Sequence, residues 1–493
     1  MLFSSTEFLL MFLPATIAGF ALAVRLISMR AGTAWLLACS LFFYAYWSPP
    51  LLPLLLASIV VNFACGRALF RNRSRSFLVA GLIFNLGLLA YFKYAGFLVE
   101  NIEQIIGSEI VNLNIVLPLA ISFFTFQQVA YLVDVYQGKA DEPDFLNYCL
   151  FVSFFPQLIS GPIVHHSEMM PQFRQSARKW LSRSLVPVAL GFIAIGLYKK
   201  VVLADGLGPI ADQVFAHAAN GGIPSTGDAW VGAIAYAFQI YFDFSGYSDM
   251  AVGVALLFGI RLPLNFNSPY KATSIIDFWR RWHITLSRFI RDYIYIPLGG
   301  NRKGKHRRYV NLVLAMLIGG LWHGAGWTFV VWGGCHGVFL MLNHGWRRLR
   351  PRSGAPGFMT VWTSRAVTFC LVVIAWVFFR AADIDDAGRM LQGMFGLEPG
   401  RTVLESGRHI LWLGLVAFIV WCTPNTWQLF RKADPVVVPA VAGEADEDGV
   451  VVQTVMRFRR SVMVPLIVMI GIVGLFVVID RGNQAQRFIY MIF

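Results

Sequence analysis

The chain has 493 residues, 57% of them hydrophobic and only 14% charged. A soluble chain carries about a quarter charged residues, so this composition excludes a soluble globular protein and points to a polytopic membrane protein. The net charge of +14, from 41 basic and 27 acidic residues, is gathered in particular loops, as the positive-inside rule expects, and needs no nucleic-acid partner to explain it.

The opening "MLFSSTEFLLMFLPATIAGFALAV" has no basic residue before its apolar run, which predicts a retained first span instead of a cleaved signal peptide. Glu7 precedes this span and Arg25 and Arg30 follow it, placing the N-terminus outside. Further spans are predicted over about 33–48, 51–66 and 77–98, with Ser48-Pro49-Pro50 as a turn. The basic loop "RALFRNRSRS" belongs inside, and the loop holding Glu100, Glu103 and Glu109 outside.

Region 110–173 is apolar but broken by Pro, Gly, Gln and Ser. Such backbone is tolerated at membrane depth only inside protein or beside a water-filled cavity. It therefore reads as short or re-entrant helices lining an interior space. Arg174, Arg178, Lys179 and Arg183 return the chain to the cytoplasm. A span over about 185–203 then leads to an outer loop over about 205–227, with Lys199 and Lys200 expected to snorkel at the helix end.

The next span, about 228–258, delivers the most basic section. Ten basic residues between Asn265 and Arg308 face only Asp277 and Asp292, so this section is expected in the cytoplasm. The run 309–346 ends at Arg347, Arg348, Arg350 and Arg352. With both ends inside, it must make two short passes or a re-entrant hairpin, bending near the glycines around His323. Spans near 362–379 and 408–430 follow, then a hydrophilic loop over about 432–460 containing "GEADEDG", expected to be mobile, and a last span near 461–479. The expected architecture is all-α. About eleven transmembrane helices plus short re-entrant or interfacial helices form one membrane-embedded domain over 1–493, with a motif-bearing core at about 110–346.

Ionisable groups inside apolar segments are costly and default to functional candidates. His323 stands in "GGLWHGAGWTFVVWGGCHG", where seven of nineteen residues are glycine. That composition weakens a helix but permits close approach of a backbone or slender ligand. Trp322, Trp327 and Trp332 offer flat walls, and a buried neutral imidazole can serve as a general base. The plainer alternative is an imidazole bonded to a backbone carbonyl. His336 follows thirteen residues on, about 220° around an ideal helix, which argues against a metal pair built on one helix.

"DFWRRWHITLSRFIRDYIYIPLGG" contains His283, Arg280 and Arg281. It reads as an amphipathic interfacial helix, as a mouth attracting a polyanionic substrate, or as both. "FQIYFDFSGYSDM" holds Asp243, Ser245, Tyr247 and Asp249; the two carboxylates lie on different faces, and bonding to neighbouring helices and contact with substrate are both open. The six cysteines (Cys39, Cys65, Cys149, Cys335, Cys370, Cys422) lie in or beside apolar stretches without CxxC spacing. They read as small core residues, not a disulfide framework or zinc site. Walker, dinucleotide, HExxH and GxSxG signatures are missing, as are the paired inverted repeats of many transporters.

"FWRRWHITLSRFIRDYIYIPLGGNRKG" followed by "GGLWHGAGWTFVVWGGCHG" resembles the membrane-bound O-acyltransferase family, in the bacterial branch of alginate O-acetyltransferase membrane subunits and D-alanyl-lipoteichoic acid transfer proteins. "LPLAISFFTFQQVAYLVDVY", "FPQLISGPIVHH", "YFDFSGYSDMAVGVALLFGI" and the opening "MLFSSTEFLLMFLP" also resemble that branch, so the likeness runs to about residue 345.

The resemblance implies helices ringed around a central tunnel between a cytoplasmic donor side and an outer acceptor side. It matches His323 to the family's essential histidine and His283 to the branch's second histidine motif. Trp322, Trp327, Arg280, Arg281, Gln128, Asp243, Ser245 and Tyr247 are candidate substrate contacts, with no metal and no bound cofactor. The implied donor is acetyl-CoA, and the implied partner is a periplasmic acetyltransferase or acetyl-carrier protein serving an exported, alginate-like polysaccharide from the bacterial inner membrane. The rivals are D-alanyl transfer to teichoic acid and a polysaccharide or lipid exporter without chemistry.

Overall fold

The computed structural model describes residues 1–109, 113, 115–140, 144–175, 185–349, 357–404, 407–439, 460–481 and 488–489. Arg178, Lys179, Arg183, Arg350, Arg352 and the "GEADEDG" stretch lie outside the described residues. Among the described residues there are helices and two isolated bridges, Pro224 with Arg401 and Pro263 with Val437, but no strand.

Helices α1 (Phe8–Leu26), α2 (Met29–Trp47), α3 (Pro49–Asn72) and α4 (Arg75–Ile106) make up the first quarter of the chain. Their boundaries follow local chemistry. Ser28 and Ser74 accept the first free N–H groups of α2 and α4, and Arg73 ends α3 in the left-handed region. Outward positions such as Leu10, Leu22, Val60 and Ile83 are exposed, the pattern of helices solvated by hydrocarbon. Reciprocal amide bonds between Asn62 and Asn85 clasp α3 to α4, since a buried amide must find its partners within the protein.

The interrupted region forms short helices, as its polar breaks predict: α5 (Ile121–Tyr136), α6 (Phe145–Ser153), α7 (Phe155–Leu158) and α8 (His166–Gln175). Nearly every residue of α5 is buried.

Next, α9 (Val186–Ala219) overruns its predicted end. The expected outer loop from 205 is helical to Ala219, because Lys199–Ala204 forms a π-turn that carries the chain onward. Lys199 and Lys200 do not snorkel. Lys200 Nζ pairs with Asp205 at 2.9 Å and Asp243 at 2.7 Å, and Lys199 Nζ pairs with Asp249 at 2.6 Å. Asp243 and Asp249 come from α10 (Thr226–Leu257), a 32-residue helix with most of its length buried, while Asp205 lies on α9 itself. The helices approach closely where a Cβ on Gly196 would meet Gly246 O at 2.6 Å and one on Gly253 would meet Ala189 O at 2.6 Å. Small residues are what let helices pack this tightly in a membrane.

The basic section is not one amphipathic helix. It breaks into α11 (Ile275–Arg281) and α12 (Ile284–Ile290), with a π-turn at Arg291–Tyr295. Then α13 (Lys305–His323) and α14 (Trp327–Leu349) form the expected hairpin, turning at Gly324-Ala325-Gly326. The remaining helices are α15 (Phe358–Arg380), α16 (Ile384–Phe395), α17 (Arg408–Cys422), α18 (Thr426–Phe430) and α19 (Arg460–Arg481). The axis bends by 45° between α17 and α18, at Pro424, which cannot continue a helix.

Among the described residues, five helices are long and apolar enough to cross a membrane, or six if the bent pair is one span. That is fewer than the about eleven spans expected: α2, α10, α13 and α14 are not among them, and the apolar part of α19, Ile467–Asp480, is shorter than a span. Of the cysteines expected in the core, Cys39 and Cys149 are buried, Cys65, Cys335 and Cys422 are half-buried, and Cys370 is exposed on α15.

Candidate active site

The hairpin of α13 and α14 places His323 at the last residue of its first arm, where Gly324 turns extended (φ −156°, ψ 146°) and ends the helix. The arms touch backbone to backbone. A Cβ on Gly320 would stand 2.2 Å from Phe329 O, and one on Gly333 would stand 2.4 Å from Met316 O. His323 is 3% exposed. Its ring centroid is 5.0 Å from Trp322, 5.1 Å from Trp332 and 5.2 Å from Phe379. Phe379 belongs to α15, beyond the segment whose motifs carry the resemblance.

His283 lies 6.3 Å from His323 between ring centroids. It reaches the interior because the chain breaks there: His283 takes φ 41° and ψ 53° between α11 and α12. The left-handed region is uncommon for a residue with a Cβ, and histidine is among those that tolerate it. In place of the next helical bond, Ile284 N–H donates to Asn265 O at 3.0 Å.

Asn265 Oδ1 lies 3.1 Å from His283 Nδ1, accepts from Thr285 Oγ1 at 2.9 Å and faces Thr285 N–H at 3.4 Å. A backbone N–H can only donate, so the atom facing it is the amide oxygen. Neutral His283 therefore holds its proton on Nδ1 and its lone pair on Nε2.

A residue that sequence reasoning missed completes the enclosure. Lys93, in a π-turn of α4 (Ala90–Tyr94), donates to Trp322 O at 2.5 Å, His323 O at 3.1 Å and Ser122 Oγ at 3.3 Å. The signal was a lone lysine in the apolar span predicted at 77–98. Asn265 and Phe379 carried no comparable signal.

A file of aromatic rings joins this enclosure to the basic section. Trp322 stacks on Phe126 at 5.1 Å, Phe126 on Phe289 at 3.9 Å, and Phe289 meets Tyr293 at 5.0 Å. Tyr293 donates to Asp134 at 2.8 Å, while Glu168 and Arg288 form a two-pronged pair beside it.

Other candidates are placed elsewhere. Trp327 is no wall for His323. It is 55% exposed, meets Phe97 edge-on and donates its indole N–H to Asn101 Oδ1 at 2.8 Å, because the turn after Gly324 carries it outward. Gln128 is buried, donates to Ser58 and accepts from Tyr148, tying α5 to α3 and α6. Asp243 is occupied by Lys200 and by the N–H of Ile489. Ser245 is buried on the same helix, and Tyr247 stacks on Phe3 at 4.8 Å. Arg281 pairs with Asp277, whereas Arg280 is exposed. His336 accepts from Trp279 Nε1 at 3.3 Å and packs against Trp332. Among the described residues, no three His, Cys, Asp or Glu side chains are grouped to hold a metal.

Two motif histidines thus share one aromatic enclosure, His323 on the hairpin and His283 at the break between α11 and α12. Residues 114–381 match the membrane-bound O-acyltransferase family.

The chain belongs to that family.

As a membrane-bound O-acyltransferase, it is a multi-pass membrane protein and an acyltransferase. It is 45% identical over 428 residues to the peptidoglycan O-acetyltransferase of Helicobacter pylori, covering 80% of each chain. It is 41% identical over 468 residues to a probable alginate O-acetylase of Pseudomonas aeruginosa, covering 91% of this chain and 86% of the relative. The teichoic acid D-alanyltransferase of Streptococcus thermophilus is 30% identical over 242 residues, 47% of this chain and 57% of that one.

Proposed function

We propose that this acyltransferase takes acetyl from cytosolic acetyl-CoA and passes it across the bacterial inner membrane for O-acetylation of an exported polysaccharide, with His323 as general base. The observation that carries this reading is the pairing of His323 and His283 at 6.3 Å inside one aromatic enclosure, in a chain similar over most of its length to O-acetyltransferases.

The basic section, with Arg280 exposed, attracts the phosphates of the donor. The aromatic file from Tyr293 to Trp322 supports an approach of the pantetheine arm to His323. Neutral His323 accepts the proton of an incoming hydroxyl, from the acceptor or from a partner's nucleophile, and the oxygen attacks the thioester carbonyl. The new C–O bond forms, the C–S bond breaks, and the proton passes to the departing thiolate as coenzyme A leaves. Positioned base catalysis contributes about 10²–10⁴-fold, and holding both reactants in a dry enclosure adds to it. His283 orients the donor or supports His323.

Relatives named for peptidoglycan and for alginate match at similar identity. That supports a membrane protein that delivers acetyl while a periplasmic acetyltransferase or carrier selects the polymer. D-alanyl transfer is the second reading, supported by a relative matched over about half of this chain; the longer matches favour acetyl.

The test is release of coenzyme A from radiolabelled acetyl-CoA by inverted membrane vesicles containing the full-length protein. Release is expected, and His323→Ala is expected to reduce it about 10²–10⁴-fold while inserting normally. An exporter would release none, and a His323→Ala protein with full release would end the base assignment.

A further inference from the structure

We infer that Lys93, with Tyr94 beside it, is a positioning residue for His323, setting the backbone from which the imidazole projects. This rests on the reading of His323 as the general base. An α-helix leaves its last four carbonyls without partners of its own, and α13 ends on the residue that must be placed most accurately. Here Gly324 N–H takes Gly320 O at 3.4 Å. The other three carbonyls are taken by two consecutive residues of α4. Tyr94 Oη donates to Leu321 O at 2.9 Å, and Lys93 Nζ donates to Trp322 O and His323 O.

An ammonium has three protons and no acceptor. The third points to Ser122 Oγ on α5, so Lys93 joins α4, α5 and the hairpin at one atom. A cation at a helix C-terminus is also favoured by the helix dipole.

The local backbone is suited to the task. Neighbours on a regular helix diverge by about 100°, but Ala90–Tyr94 is a π-turn, whose extra residue re-aims side chains and which recurs at functional sites. A lysine near the end of a span ordinarily snorkels to the interface. Lys93 instead stays 9% exposed and turned inward. Beyond His323 the helix has ended, so its own ladder no longer holds the backbone there; the lysine supplies that hold from outside the hairpin.

The test compares Lys93→Met, Lys93→Arg, Tyr94→Phe and His323→Ala in full-length protein, measuring kcat and KM for acetyl-CoA in the vesicle assay. Lys93→Met is expected to lower kcat about 10²-fold, the scale of a misplacement of about 1 Å in a catalytic group, with KM nearly unchanged. Lys93→Arg is expected to restore most of the loss, since it keeps a cation with several donors, and Tyr94→Phe to cost less than Lys93→Met. A wild-type kcat in Lys93→Met beside an inactive His323→Ala overturns the positioning role and leaves the base intact. An active His323→Ala overturns the base itself. Raised KM with unchanged kcat in Lys93→Met would mark a donor contact and also overturn positioning. If Lys93→Met does not accumulate in the membrane, Lys93→Gln replaces it, and an unchanged kcat in both Lys93→Gln and Tyr94→Phe is the overturning result.

Discussion

A buried imidazole is useful only when its tautomer and direction are held, and here the two histidines are held by different means. His323 sits at a helix end clamped from another helix, whereas His283 is bound through Nδ1 to Asn265 Oδ1. Asn265→Leu removes that acceptor and leaves a buried donor without its partner, which costs about 1–3 kcal/mol. The expected result is a fall in kcat of about tenfold or more, read in the coenzyme A release assay. Because Asn265 is placed to act through His283, the double variant Asn265→Leu/His283→Gln should be no slower than His283→Gln alone; additive losses would show that Asn265 acts elsewhere. The two histidines were readable in the chain because ionisable groups stand out against apolar neighbours. Asn265 was not, because its place beside His283 depends on a left-handed residue that nothing in "RWHITLS" announces.

At the scale of elements, the hairpin of α13 and α14 governs the site. Its glycines matter because the two arms press backbone on backbone. Gly320→Ala would drive a methyl into Phe329 O and Gly333→Ala one into Met316 O. Neither contact can relax by a side-chain rotation, so each variant is expected to lose about 1–3 kcal/mol by overpacking. The measurement is the thermal midpoint in detergent, with a matching loss of acetyl transfer. Gly345→Ala, on α14 like Gly333 but with open space around the new methyl, should be neutral or slightly stabilising; a drop equal to that of Gly333→Ala would remove the close-approach argument. Charge at both ends of 309–346 was enough to require a reversal. The interior partners of the hairpin, Phe379 and Lys93, come from α15 and α4 and leave no periodic trace near the motif.

For the whole molecule, the buried pairs Lys199–Asp249 and Lys200–Asp243 join α9 to α10. Lys200 faces Asp205 and Asp243 with all three side chains almost fully excluded from solvent. Lys200→Met would leave two buried carboxylates without their cation, a change that costs about 3–5 kcal/mol in proteins. The folded fraction on size-exclusion chromatography in detergent is expected to collapse. The triple change Lys200→Met/Asp205→Leu/Asp243→Leu should recover part of it, since replacing a whole buried ionic group is often tolerated; a triple variant as poor as the single would reject the electrostatic cause. By itself, the sequence determined that the chain is helical and membrane-embedded, that the run 309–346 reverses on itself and which two histidines are candidates. Those properties follow from local hydropathy, charge and glycine content, which each segment carries without reference to its neighbours. Only the tertiary structure decided that Lys199 and Lys200 turn inward to carboxylates, that Trp327 faces away, and that Lys93 closes on the carbonyls behind His323. In a membrane a polar side chain must find its partner within the protein, and that partner sits on whichever helix packing brings alongside, 229 residues away between Lys93 and Trp322.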